Sequence, residues 1–360
     1  MEDLTPQERA ILERIVADPF IEQQDLAAAL GLSRSTIANY ITQLVQKGHL
    51  LGRAYVVAER KRIVCFGGAV MDRKYHAIEP LIAGTSNPAT SVRAYGGVAR
   101  NVAENLARLD VPTTLVSAVG DDESGRGLMR ALQLLGVDVS GISISAAHGT
   151  AEYAAVLQPD NALAFGIADM AVFETLTVDK LNADWPLLMS ADWVFADCNL
   201  PAETMRELVA RGAGSRFKLA VDAVSVHKVM RLPADLGGIS ALFVNVDEAA
   251  GYLGGPGSPE SLFDGLMARG PGAVVMTLGE EGLLVSDDRG KPRHRPAPPA
   301  WVVDVTGAGD SLVAGTLCGL LQGQEIAEAV ILGLRLAKLT VETDGSVRQD
   351  LTPGLLKDPS

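Results

Sequence analysis

Asp304-Val305-Thr306-Gly307-Ala308-Gly309-Asp310 sets three small residues beside a carboxylate, just ahead of an apolar, Gly/Ala-rich run over residues 311–321. With little or no side chain to crowd them, the backbone N–H groups of Gly307, Ala308 and Gly309 can stand bare. The run that follows reads as a buried helix. Bare amides at a helix N-terminus make an anion site, and the helix dipole adds to it. Asp310 puts a carboxylate next to that site. A carboxylate beside phosphate is misplaced unless it takes a proton from an attacking hydroxyl, so the chemistry indicated is phosphoryl transfer to an alcohol. The spacing alone is also met by a Gly-rich helix start used for close packing.

Positioning such a loop requires a scaffold, and from Arg62 onward the pattern supplies one. Short apolar runs at 63–67, 114–119, 192–196, 218–222, 241–246 and 273–278 read as strands. Helical segments intervene at 97–109, 202–211, 247–253 and 259–269. This alternation predicts an α/β fold with a mainly parallel central sheet and chemistry at the carboxyl ends of its strands. Two stretches, 73–95 and 149–173, alternate in a partly polar way. They read as a small β lid or as ordinary surface hairpins.

Residues 1–58 follow a different logic. Apolar spacing predicts helices over 4–17 and 21–30, and Ser33 is placed to cap a third helix running to Lys47. A small hairpin over 50–57 would complete a winged helix-turn-helix. The third helix would expose Arg34, Ser35, Thr36, Asn39, Tyr40 and Gln43, which can contact bases or phosphates. Residues 1–60 hold six Lys/Arg against eight Asp/Glu, which leaves a structural or dimerising role open beside DNA binding.

The net charge of −13 argues against a general nucleic-acid coat or an anionic-membrane binder. The three cysteines are far apart and form no CxxC pair, as expected in a reducing compartment. The acidic N-terminus lacks the order of a signal peptide, and no apolar run approaches the ~20 residues that cross a bilayer. A soluble, cytoplasmic protein is expected. There is no GxxxxGK[ST] and no HRD or DFG set, which excludes P-loop and protein kinases.

The residues 304–310, with Ala314-Gly315, resemble the C-terminal signature of the ribokinase-like (PfkB) family of sugar and nucleoside kinases. Gly96-Gly97-Val98-Ala99-Arg100-Asn101, continuing to Leu109, resembles its N-terminal signature, with Asp110 where the family usually has Gly. Asn245-Val246-Asp247-Glu248 matches its NxxE element and Thr277 to Gly282 its nucleotide-side turn. The resemblance covers about residues 62–353 and implies a three-layer fold with a β lid. Within the family the chain looks most like the pseudouridine kinases, through Gly67–Lys74, Thr85-Ser86-Asn87-Pro88, Ala196–Asn199, Val221–Ser225 and the Gly52–Val56 string after the helix-turn-helix.

That resemblance implies ATP-dependent phosphorylation of a nucleoside 5′-hydroxyl, most simply that of pseudouridine. Ribose or another nucleoside is the alternative acceptor. A DNA-binding regulator with a nucleoside-sensing, kinase-like domain is a different kind of alternative. By resemblance, Asp310 is the base, and Asp72, Gly96, Gly97 and Asn101 hold the sugar. Asn245 and Glu248 hold Mg²⁺ and phosphates, and Thr277, Gly279 and Gly282 lie on the nucleotide side. Asp304 and Thr306 match positions for a monovalent cation such as K⁺. Ser86, Asn87, Tyr153 and Asp169 are candidates for the base of the nucleoside. Asp197, Asn199, Asp222 and Lys228 are candidates for the cleft between sugar and triphosphate. A homodimer is expected, since lid strands pair across dimers in some family members.

Overall fold

A computed structural model describes residues 4–19, 21–51, 61–286 and 290–357. Three helices come first: α1 (Pro6–Ala17), α2 (Gln23–Leu30) and α3 (Arg34–Gln46). Thr5 opens α1 with a reciprocal capping box to Glu8, and the Ser33 side chain accepts from the Thr36 amide to start α3. Ile11, Ile15, Leu26, Ile37 and Leu44 close a small apolar core of their own. The hairpin expected over 50–57 falls almost wholly outside the described residues.

The remaining elements run β1 (Ile63–Phe66), β2 (Val70–Ala77), β3 (Ala89–Gly96), α4 (Val98–Arg108), β4 (Thr113–Gly120), α5 (Glu123–Leu134), β5 (Ile142–Ser145), β6 (Glu152–Leu157) and β7 (Leu163–Asp169). They continue with α6 (Val178–Met189), β8 (Trp193–Asp197), α7 (Ala202–Gly212), β9 (Lys218–Asp222), β10 (Ala241–Asn245), α8 (Val246–Leu253), α9 (Pro259–Met267), β11 (Val274–Thr277), β12 (Leu283–Ser286) and β13 (Pro292–Arg295). Helices α10 (Ala308–Leu321), α11 (Ile326–Val341) and α12 (Pro353–Lys357) close the chain.

The nine-stranded sheet has the order β13-β12-β11-β10-β9-β8-β1-β4-β5. Its strands pair in parallel except β12 and β13 at one edge. Strand side chains alternate between two cores. Ile63, Cys65, Phe195 and Phe243 pack with α4, α5, α10 and α11, whereas Val64, Phe66, Val194 and Leu242 pack with α6 to α9. This is the three-layer, ribokinase-like arrangement expected. Helices α5, α6, α11 and α12 and strands β5, β12 and β13 escaped the sequence reading. Gly125 and Gly127 dilute the helical signal of α5, and Pro186 lies inside α6.

The two lid stretches form one separate sheet, ordered β3-β2-β6-β7. The N-terminal helices dock at the opposite end of the main sheet. The Gly48 backbone lies against that of Met189 and Ser190, and Arg216 reaches the Lys47 carbonyl at 3.4 Å and the His49 ring at 3.2 Å.

Candidate active site

Parallel strands carry their carboxyl ends to one rim, and the polar candidates stand there. Strand β1 runs out into Gly67 and Gly68, β8 ends on Asp197, β9 on Asp222, β10 on Asn245 and β11 on Thr277. In register, Asp197 lies beside Asp222, and Asn245 beside Thr277. Residues far apart in sequence are thus adjacent because of strand pairing.

Gly307 caps α10 in the left-handed region at φ 77°, and a Cβ there would lie 2.0 Å from the Ser346 carbonyl oxygen. Only glycine meets both demands. The amides of Gly307, Gly309 and Asp310 find no acceptor among the described residues, whereas that of Ala308 donates to the Val305 carbonyl at 3.3 Å. The bare set is therefore shifted from 307–309, because the first turn closes on itself at Ala308. Around Gly309 there is open space for a ligand to approach.

Asp310 occupies the third position of α10. Its Oδ2 accepts from Asn101 Nδ2 at 2.7 Å. Burial pushes its carboxyl up to about 6, with Asp197 and Asp72 adding to the rise and Asn101 and Arg100 opposing it. Asp72, on β2, is likewise raised to about 6 by burial, against the pull of Arg100 and Lys74. Gly96 pairs with Val70 across the β2–β3 hairpin, and a Cβ on it would lie 1.9 Å from the Asp72 carboxylate. Gly97, at φ 94°, brings the start of α4 against the Gly68 carbonyl. Asp72, Arg100, Asp304, Thr306 and Ser346 line one cavity of about 970 Å³ beneath the lid.

A second, smaller cavity of about 160 Å³ joins Asp310 and Gly309 to Asp222, Asn245, Glu248 and Thr277. Asn245 and Glu248 form a reciprocal capping box, with both bonds at 2.8 Å. The local capping role and the cavity wall are thus the same residues. Burial raises Glu248, and burial together with Glu248 and Asp310 raises Asp222 well above its ordinary value. Uncompensated negative charge of this kind, on hard oxygen donors, fits a Mg²⁺ that keeps waters and phosphate oxygens as its other ligands. Among the described residues no three acids, histidines or cysteines are gathered closely enough to enclose a metal alone. Val224 lines the same cavity at φ 67°, a strained setting for a β-branched residue, and its amide donates to Asp222 at 2.8 Å.

Other expected residues are placed elsewhere. Asp197 has no exposed surface, and its carboxylate accepts the amides of Gly68, Ala99 and Asn199, each at 2.9 Å. It clamps the two glycine loops and has no free face for a substrate. Lys228 donates to Asn199 at 2.5 Å and is lowered by burial, so it braces the β8 end. Asn87 spends its amide on Ile82 and Thr85 within its own lid loop, and Ser86 is exposed there. Asp169 lies opposite Glu152 and lines a cavity with Met71, Arg73 and Arg93 on the other lid face from Asp72. Tyr153 is the register partner of Asp72 and leaves the sheet on the same side. Asp304 holds Thr306 through its amide at 2.8 Å and its hydroxyl at 2.6 Å, with the Lys74 ammonium 3.7 Å away. These two residues are thus hydrogen-bonded to each other, with a protein cation beside them. Gly282, at φ 99°, brings the turn after β11 against the Arg295 carbonyl, and Gly279 is exposed at its tip.

Arg100, Glu104 and Ser346 were passed over in the sequence. The Arg100-Glu104-Arg108 spacing, one acid between two bases on one helix face, was the available signal. Ser346 carried none.

A family model described as pfkB family carbohydrate kinase matches residues 60–352, and one described as winged helix-turn-helix DNA-binding matches residues 4–48. An uncharacterized sugar kinase of Escherichia coli (strain K12) is 29% identical over 337 residues, covering 92% of each chain. The pseudouridine kinase of the same organism is 28% identical over 298 residues, 82% of this chain and 95% of that protein. The structure of Arabidopsis thaliana ribokinase complexed with ribose and ATP superposes with a TM-score of 0.74 at 23% identity, over 83% of this chain and 100% of the other.

Proposed function

The chain belongs to the pfkB family of carbohydrate kinases, and from that premise we propose that it transfers the γ-phosphoryl group of ATP to the 5′-hydroxyl of pseudouridine. Membership makes it a phosphotransferase with an alcohol acceptor. The finer reading, a nucleoside and this one in particular, is supported by the motifs at 67–74, 196–199 and 221–225 and by the likeness to a pseudouridine kinase.

One observation carries the mechanism: Asp310, half-buried and raised to about 6, lines the acidic phosphate-side cavity and is joined through Asn101 to Arg100 on the wall of the acceptor cavity. Above that pH it is ionised and takes the hydroxyl proton as the oxygen attacks. Asp72 accepts the ribose hydroxyls, and Gly96 and Gly97 let the sugar approach the backbone. Asn101 holds Asp310 in place, and the bare amides of Gly307, Gly309 and Asp310 face the negative charge of the moving group. Asn245, Glu248 and Asp222 would hold Mg²⁺ with the phosphates, and the ion would neutralise charge on their oxygens. Thr277, Gly279 and Gly282 form the nucleotide side. Tyr153, beside Asp72, is the lid residue facing the base. A coupled ADP-release assay over pseudouridine, uridine, inosine, adenosine and ribose tests the assignment. The highest kcat/KM on pseudouridine is expected, and a tenfold preference for another acceptor overturns it.

The N-terminal unit supports a second role. Arg34, Ser35, Asn39 and Gln43 are exposed along α3, and we propose that they contact DNA. Affinity that falls steeply with salt, and that is lost in Arg34→Ala, is the expected result. A homodimer through the lid is part of the same reading, since Leu163, Phe165 and Ile167 stand exposed on one lid face.

A further inference from the structure

We propose that Arg100 is a positioning residue that fixes the orientation of the Asn101 amide and, through it, presents Asp310 to the acceptor hydroxyl. The inference rests on the kinase reading above and assigns a role to a residue that reading leaves idle.

Arg100, Asn101 and Glu104 are 5%, 4% and 2% exposed, so their polar atoms depend on protein partners, and of the Arg100 nitrogens both Nη1 and Nη2 find them while Nε does not. Arg100 Nη1 donates to Asn101 Oδ1 at 2.7 Å and to the Tyr95 carbonyl at 2.7 Å. Ser346 Oγ approaches the same Asn101 oxygen at 3.5 Å. The oxygen end of the amide is therefore turned toward donors. Its nitrogen end is turned toward Asp310 Oδ2, 2.7 Å away. The reversed amide would set NH₂ against a guanidinium and oxygen against a carboxylate, so one orientation is selected twice over.

The guanidinium is itself held. Its Nη2 pairs with Glu104 Oε2, and Glu104 Oε1 accepts from Arg108 Nε at 2.9 Å and Nη2 at 2.7 Å. Gln349 closes the outer end at 3.4 Å from Glu104 Oε1. A chain of charged contacts thus runs along one face of α4 from the surface to Asp310. With Oδ2 occupied by Asn101, Oδ1 is the oxygen left for the substrate proton.

Charge acts in the same direction. Asp310 is faced by Arg100 and Asn101 from α4, Asp72 from β2, Asp197 from β8 and Asp222 from β9. Arg100 is the cation among them, and it faces Asp72 as well. Removing it leaves acids alone around the base, which shifts proton loss upward.

The test compares Arg100→Met, Arg100→Lys and the double variant Arg100→Met/Glu104→Met with the parent chain, alongside Asp310→Asn. Arg100→Met should lower kcat at least ~10-fold and move the acid limb of kcat/KM up by about one pH unit, with the melting profile retained. Arg100→Lys restores the charge but not the forked donor, so the limb should return while kcat stays low. If Arg100→Met does not fold, the double variant, which leaves no buried unpaired carboxylate, carries the same expectation. Parental kcat and acid limb in a folded Met variant overturn the proposal, and so does full recovery by Lys. The underlying kinase reading fails separately, if Asp310→Asn keeps its turnover.

Discussion

The rim of the main sheet drew more candidate residues from the sequence than the lid did, and the fold treated the two differently. On the rim, Asp222, Asn245, Glu248, Thr277 and Asp310 share one small cavity. In the lid, only Tyr153 of the four base candidates stands on the face of Asp72; Asp169 opens on the other face, while Ser86 and Asn87 lie in the loop beyond the strands. A parallel sheet gathers its strand ends by topology, whatever lies between them in sequence. A lid strand distributes neighbours by parity, so one residue of offset sends a side chain to the opposite face.

Substitutions can sharpen or break that contrast. The largest effect is expected at the rim: Asp310→Asn should lose at least ~10² in kcat while keeping its fold, and near-parental turnover would remove Asp310 as base. At the junction of rim and lid, Asp72→Asn should cost about 10- to 100-fold in kcat/KM, read from substrate titrations.

A pH series probes the rim alone. Asp310 and Asp72 are each raised to about 6, so kcat/KM should fall as the pH drops through that value, more steeply than for one group. The sign for stability is opposite. Their folded pKa values lie above the unfolded ones, so they favour folding below pH ~4, and that contribution is lost as the pH rises through 6. Asp310→Asn should therefore melt above the parent at pH 7.5, with the gap closing toward pH 4. The smallest effects belong to the lid: Asp169→Asn and Asn87→Ala should each stay within about threefold of parental kcat/KM. A tenfold loss in Asp169→Asn would bring the far lid face into the site.

Much of this was readable before the structure. Asp310, Asn101, the Gly96-Gly97 pair and the Asn245–Glu248 element lie within short strings whose spacing sets their local geometry. The Ser33 cap and the parallel strand alternation are local signals of the same kind. What could not be read is equally particular. Asp197 reads as a cleft carboxylate, but three amides, from the loop after β1, from α4 and from its own turn, close over it. Ser346 has no motif around it and reaches Asn101 only because the chain returns after α11. The bare amide set is displaced by one bond, from Ala308 to Val305.

The sequence by itself determined the reaction class, since glycines that bare amides and an acid at the head of a helix are properties of neighbouring residues. Tertiary structure decided which carboxylates are available, which lid face carries Asp72 and Tyr153, and which way the Asn101 amide points. These depend on contacts between residues far apart in the chain, such as Asn101 with Asp310 and Gly307 with Ser346, and on a desolvation that exists only once the layers have closed.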